Sequence, residues 1–112
     1  MAATQFFTIE KGATWAQNLI YQDSLGAAID LTGFTARMQI KKKLTSEAIV
    51  SLTDTAGITI TPLTGVIDLR IEAAITDTLN AGKYIYDLEL VNGTEVTRLI
   101  EGTIVINENV TI

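Results

Sequence analysis

The chain has 112 residues, of which 47% are hydrophobic and 19% charged, with a formal net charge of −5. An acidic balance of this kind disfavours sequence-independent binding to a phosphate backbone. Cysteine and histidine are both absent, which removes disulfides, thiolate sites, the usual general base and the commonest metal ligand together.

The length suits one domain, residues 1–112, with a single core. The surplus of apolar side chains is expected to lie partly on the surface, covered by a partner. The opening Met1-Ala-Ala-Thr-Gln-Phe-Phe lacks a basic start followed by an apolar run, so no signal peptide is expected. No stretch approaches the roughly 20 apolar residues of a membrane helix. The expectation is a protein made in a bacterial cytoplasm, with no nucleic-acid and no membrane partner. The basic run Lys41, Lys42 and Lys43 reads as a solvated strand end.

In chain order, a first strand is predicted over residues 6–10, broken by Lys11-Gly12. A second covers 14–22 and ends at Asp23-Ser24-Leu25-Gly26. Asp30-Leu31-Thr32-Gly33 turns the chain into a third strand, 34–42. There Phe34, Ala36, Met38 and Ile40 share one face, and Thr35, Arg37, Gln39 and Lys41 the other, a strict period of two. Shorter strands follow at 49–52 and 58–61, where Pro62 ends the pairing.

The cleanest alternation is at 66–72, with Ile67, Leu69 and Ile71 inward and Asp68, Arg70 and Glu72 outward. Residues 73–80 break the pattern and read as a helical turn crossing between sheets, with Thr76-Asp77 as its cap. Strands over 83–91 and 94–106 are joined by Asn92-Gly93, a hairpin signal because both residues tolerate positive φ. About seven or eight strands without a long helix predict an all-β, immunoglobulin-like, two-sheet antiparallel sandwich.

Tyr84 follows a helical turn and Leu79 and Gly82 at the spacing of a tyrosine corner, in which the hydroxyl bonds back to preceding backbone. Tyr86 then stands where antibody domains place a cysteine. Trp15 is expected to fill the core, with glycan stacking by Trp15 and Tyr21 as the alternative. Phe6 and Phe7 are adjacent, so in a strand they face opposite sides. Leu99-Ile100 and Ile104-Val105-Ile106 put apolar groups on both faces of the last strand. Either a bulge near Gly102 reconciles them, or Leu99 and Val105 meet a neighbouring subunit. The tail closing in Val110-Thr-Ile112 is apolar enough to pair along a sheet edge. Phe6, Leu99, Val105, Val110 and Ile112 are therefore the candidate partner surface.

Asn92-Gly-Thr94 and Asn109-Val-Thr111 match the glycosylation pattern, which carries no weight without a signal peptide. There is no Gly-x-Ser-x-Gly, phosphate loop, dinucleotide fingerprint or Asp-rich calcium loop. The acidic residues Asp68, Glu72, Asp87 and Glu89 fall on solvent faces. No catalytic residue, cofactor or metal is expected.

Four stretches carry a resemblance. They are Phe7-Thr-Ile-Glu-Lys-Gly-Ala-Thr-Trp15, Ala28-Ile-Asp-Leu-Thr-Gly-Phe-Thr-Ala-Arg-Met-Gln-Ile40, Leu79-Asn-Ala-Gly-Lys-Tyr-Ile-Tyr-Asp-Leu-Glu-Leu90 and Val96-Thr-Arg-Leu-Ile-Glu-Gly-Thr-Ile-Val-Ile106. In this order they resemble the Ig-like N-terminal domain of siphophage upper baseplate proteins, and stand-alone proteins of tailed-phage structural regions. The resemblance implies a non-enzymatic virion part, in the tail, baseplate or fibre-attachment region, contacting other virion proteins in a symmetric assembly. In baseplate proteins a receptor-binding or fibre portion follows the domain. The sequence here stops at Ile112, so direct receptor binding is not expected. A capsid decoration protein and a carbohydrate-binding adhesion module are the alternatives.

Overall fold

Period-two alternation decides most of the strands. The structure, a computed structural model, describes residues 3–108. Its strands are β1 (Ala3–Thr4), β2 (Phe7–Glu10), β3 (Trp15–Ile20), β4 (Thr35–Lys41), β5 (Ala48–Thr53), β6 (Ile58–Thr61), β7 (Val66–Ile71), β8 (Gly82–Asn92) and β9 (Glu95–Asn107). In β4, Ala36, Met38 and Ile40 are buried; in β7, Ile67, Leu69 and Ile71 are. The outward partners of these residues carry the polar contacts. Asn18 donates to Asp68 at 2.7 Å, and Arg70 pairs with Glu72 at 2.7 Å.

Two sheets face one another across this core. One has the order β1-β9-β8-β4-β5, with β2 also on β9; the other has the order β3-β7-β6. β1 and β2 lie end to end along one side of β9, both parallel to it, while the β3–β7, β6–β7, β4–β5, β4–β8 and β8–β9 pairs are antiparallel. The core is continuous between the sheets, running from Ile9, Ile104 and Ile106 through Met38 and Leu88 to Ile67 and Leu69. This is the two-sheet sandwich with immunoglobulin strand order: β3, β7 and β6 stand as strands B, E and D, and β4, β8 and β9 as C, F and G.

Three details differ from the sequence expectation. The hairpin turn is displaced by one residue, because Asn92 pairs with Glu95 and the two loop residues are Gly93 and Thr94. Only Gly93 has positive φ, at 62°. The turn is thus one that demands glycine first and leaves Asn92 in the ladder. The bulge in β9 sits at Leu99, not Gly102: Leu88 faces Ile100 and Glu89 faces Arg98, so Leu99 is the extra residue. This turns Leu99 toward the core beside buried Ile100, where a regular strand would have turned it to solvent.

Third, the crossing turn α1 (Ala73–Thr76) has no side-chain cap. Thr76 is fully buried and ties the turn to the β2–β3 connection instead. Its hydroxyl accepts Gly12 N–H at 3.1 Å and donates toward Ala13 O at 2.8 Å. The same hydroxyl also lies 3.1 Å from Ala73 O of its own turn, so it is shared between the helical turn and the neighbouring loop.

Candidate interaction surface

The corner that positions β8 is built from its own sequence. Leu79 is buried ahead of the strand, and the Tyr84 hydroxyl donates to the Asn80 carbonyl at 2.8 Å, the geometry of a tyrosine corner. The Lys42 ammonium lies 4.8 Å from the Tyr84 ring centre. Tyr86, two residues on, faces Gly102 across the ladder. Its hydroxyl donates to the Gln5 carbonyl at 2.6 Å, so the ring crosses β9 over a residue with no side chain. Burial pushes the Tyr86 phenol up to about 12, since phenolate in the core has lost its hydration.

Gly102 also admits Gln5. With φ at +155°, a Cβ there would overlap Gln5 O and lie 3.1 Å from Gln5 C. Gln5 N–H donates to Glu101 O at 3.0 Å. The first segment therefore breaks into β1 and β2 at Gln5-Phe6, and Phe6 is turned outward, 61% exposed, while Phe7 is buried.

Phe7 meets Trp15 edge-on at 5.4 Å between ring centres and Tyr86 at 5.4 Å. Trp15 is only 5% exposed, which corrects its candidacy as a glycan platform: neither ring face is free to stack on a sugar. Its indole N–H is buried without a partner among the described residues, consistent with a residue chosen for volume. Tyr21 is half-buried against the core and lies on the opposite end of β3, so the two aromatics form no common surface.

Of the candidate partner residues, Phe6 is exposed and Val105 half-buried on the outer sheet face, beside Lys83 and Thr8. Leu99 packs on the core, which removes it from a purely external role. Val110 and Ile112 lie outside the described residues. Asp87 and Glu89 are on the outer face as expected, held by Arg98 at 3.3 and 3.7 Å and by Arg37 at 2.8 Å. Glu72 is held below the ordinary carboxylate range by its bond from Arg70. Asp30 is lowered by the Thr32 hydroxyl and N–H that close its turn.

The most developed surface feature was not anticipated. In the immunoglobulin arrangement a strand A lies beside strand B. Here β1 pairs with β9 instead, and β3 is bonded to β7 alone among the described residues. Tyr21 N–H reaches Gly65 O on the β7 side, so by alternation the backbone groups of Ala16, Asn18 and Ile20 point to the unpaired side. A groove of about 980 Å³ lies at the end of this edge, between residues 19–23, residues 96–101 of β9, and Ala3 and Gln5 of the first segment. Its apolar lining comes from Leu19, Ile20, Tyr21, Val96, Leu99 and Ile100, with Ile20 55% and Val96 49% exposed. The sequence signal was present in Ile20 and Val96, each apolar at an outward position of its strand.

Among the described residues no group of three or more His, Cys, Asp or Glu side chains is placed to hold a metal ion, and no helix is long and apolar enough to cross a membrane. No protein-family model matches the sequence, and no curated protein is significantly similar to it.

Proposed function

We propose that the chain is a non-enzymatic structural component of a tailed-bacteriophage virion, serving in the tail, baseplate or fibre-attachment region. The observation that carries this reading is the distribution of apolar surface on a rigid sandwich. Phe6, Ile20, Leu25, Leu44, Leu63 and Val96 are all exposed, and two of them flank an unpaired sheet edge. Apolar patches and open edges on a small domain are interaction surfaces, because leaving them bare invites uncontrolled association.

The four stretches similar to phage baseplate domains supply the class of assembly. Those stretches coincide with the β2–β3 connection, β4, β8 and β9, the parts that build the frame. The partners are other virion proteins arranged around a symmetry axis.

Gold labelling of purified particles with an antibody raised against the chain tests the reading. Label confined to the tail or its end is the expected result. Label on the capsid in hundreds of copies would make the chain a decoration protein. Particles carrying none of it would overturn the proposal.

A further inference from the structure

Among the described residues no strand pairs with the second side of β3, and the place there has the form of a site for one extended segment. β3 reads Trp-Ala-Gln-Asn-Leu-Ile, without the lysine or proline that guards exposed edges. The other edge of the same sheet, β6, is only four residues long and closed by Pro62. The groove runs between β3 and β9 rather than across a flat sheet. It therefore admits a single strand, with main-chain bonds to Ile20 in the groove and to Asn18 and Ala16 along the edge leading from it, and apolar contacts to Ile20, Val96 and Leu99.

One segment of this chain has the matching pattern. Residues 109–112 read Asn-Val-Thr-Ile, so in extended form Val110 and Ile112 share one face and the polar residues the other. The described chain ends at Glu108, on the side of the sandwich remote from the groove. Val96, at the start of β9, lines the groove, whereas Asn107, at its end, pairs with Glu10 of β2. Lys11 lies 3.7 Å from Glu108 there, and β9 is directed away from its own groove.

We propose that the groove beside β3 receives residues 109–112 of a second copy of this chain, which add a strand to β3 and bury Val110 and Ile112 against Ile20 and Val96. The contact is head to tail, joining one surface to a different one. Repeated, it generates a ring if the rotation closes and a filament if it does not. It extends the virion reading to contacts between copies, but its test does not depend on where the chain resides.

Because the chain has no cysteine, each introduced thiol is unique. Ile20→Cys and Val110→Cys, purified separately, mixed and mildly oxidised, are expected to give a disulfide-linked heterodimer in excess over either homodimer. Sedimentation velocity of the unaltered full chain is expected to show concentration-dependent oligomers. Ile20→Glu and Val96→Glu, both at half-exposed positions, should abolish them while the urea midpoint stays close to that of the parent. Using both variants keeps the test valid if one fails to fold. A monomer at every concentration would overturn the proposal. So would oligomers that survive both glutamate variants, or an Ile20→Cys, Val110→Cys double variant that closes its disulfide within one chain.

Discussion

Replacing Gly102 by alanine tests the claim that a missing side chain lets the first segment dock on β9. The backbone at φ +155° is a conformation that L residues rarely adopt, and holding alanine there costs about 1–3 kcal/mol. The new Cβ would overlap the Gln5 carbonyl, so the Gln5 backbone must retreat. That retreat strains or breaks two hydrogen bonds, Gln5 N–H to Glu101 O at 3.0 Å and Tyr86 O–H to Gln5 O at 2.6 Å. Each contributes about 1 kcal/mol, with more lost if the buried Tyr86 hydroxyl is left unpaired. The total is about 3–5 kcal/mol, a large share of the 5–15 kcal/mol typical of a whole domain.

Gly93→Ala is the control. Gly93 also has positive φ, at 62°, but a Cβ there meets nothing within 4 Å. Only the backbone cost applies, about 1–2 kcal/mol. Urea unfolding followed by Trp15 fluorescence measures both, with an unchanged slope as the sign that two-state folding is intact. Hydrogen exchange should show Gln5 losing protection in Gly102→Ala alone. Equal losses of stability in the two variants, with Gln5 still protected, would refute the close-approach account.

Tyr84→Phe removes the bond to Asn80 O and should lower stability by about 1–2 kcal/mol in the same urea assay; an unchanged midpoint would deny Tyr84 its place in the corner. Leu99→Asp should lose about 3 kcal/mol or fail to fold, because the bulge turns that side chain onto the core. Val105→Asp, on the outer face, should stay within about 1 kcal/mol; circular dichroism melts separate the two. For Tyr86 the folded pKa is raised from 10.0 to about 12, so its contribution is complete below pH 10 and lost as pH rises through 12. Across that window alkaline conditions should destabilise the parent more than Tyr86→Phe, and equal slopes would show that the Tyr86 phenol ionises freely in the fold.

The features readable in the sequence are those whose cause is local. Alternation in β4 and β7 reports which face is buried, and the helical turn before Tyr84 requires only residues within a few positions of it. The bulge was foreseeable as a need, since Leu99 and Ile100 cannot both face inward in a regular strand. Its position was not, because Gly102 is the obvious weak point of the strand. Gly102 is committed instead to Gln5, nearly a hundred residues away in sequence, and no local rule connects the two. Trp15 illustrates the same limit: an exposed and a buried tryptophan look alike in a strand, and only Phe7 and Tyr86 closing over it decide the matter.

The open edge of β3 is harder still to read, because it follows from where another strand goes. β1 is two residues long and finds partners at Ile100 and Glu101 of β9 rather than along β3. That choice follows from Gly102, which gives Gln5 room against β9, and from Tyr86, which fastens it there. The close approach that stabilises the first segment on one sheet therefore leaves the other sheet unpaired. A mutation at Gly102 that loosens β1 should consequently affect the β3 edge as well. The loosened segment could fill the place beside β3, and assembly through that edge would weaken even though no residue lining the groove had changed.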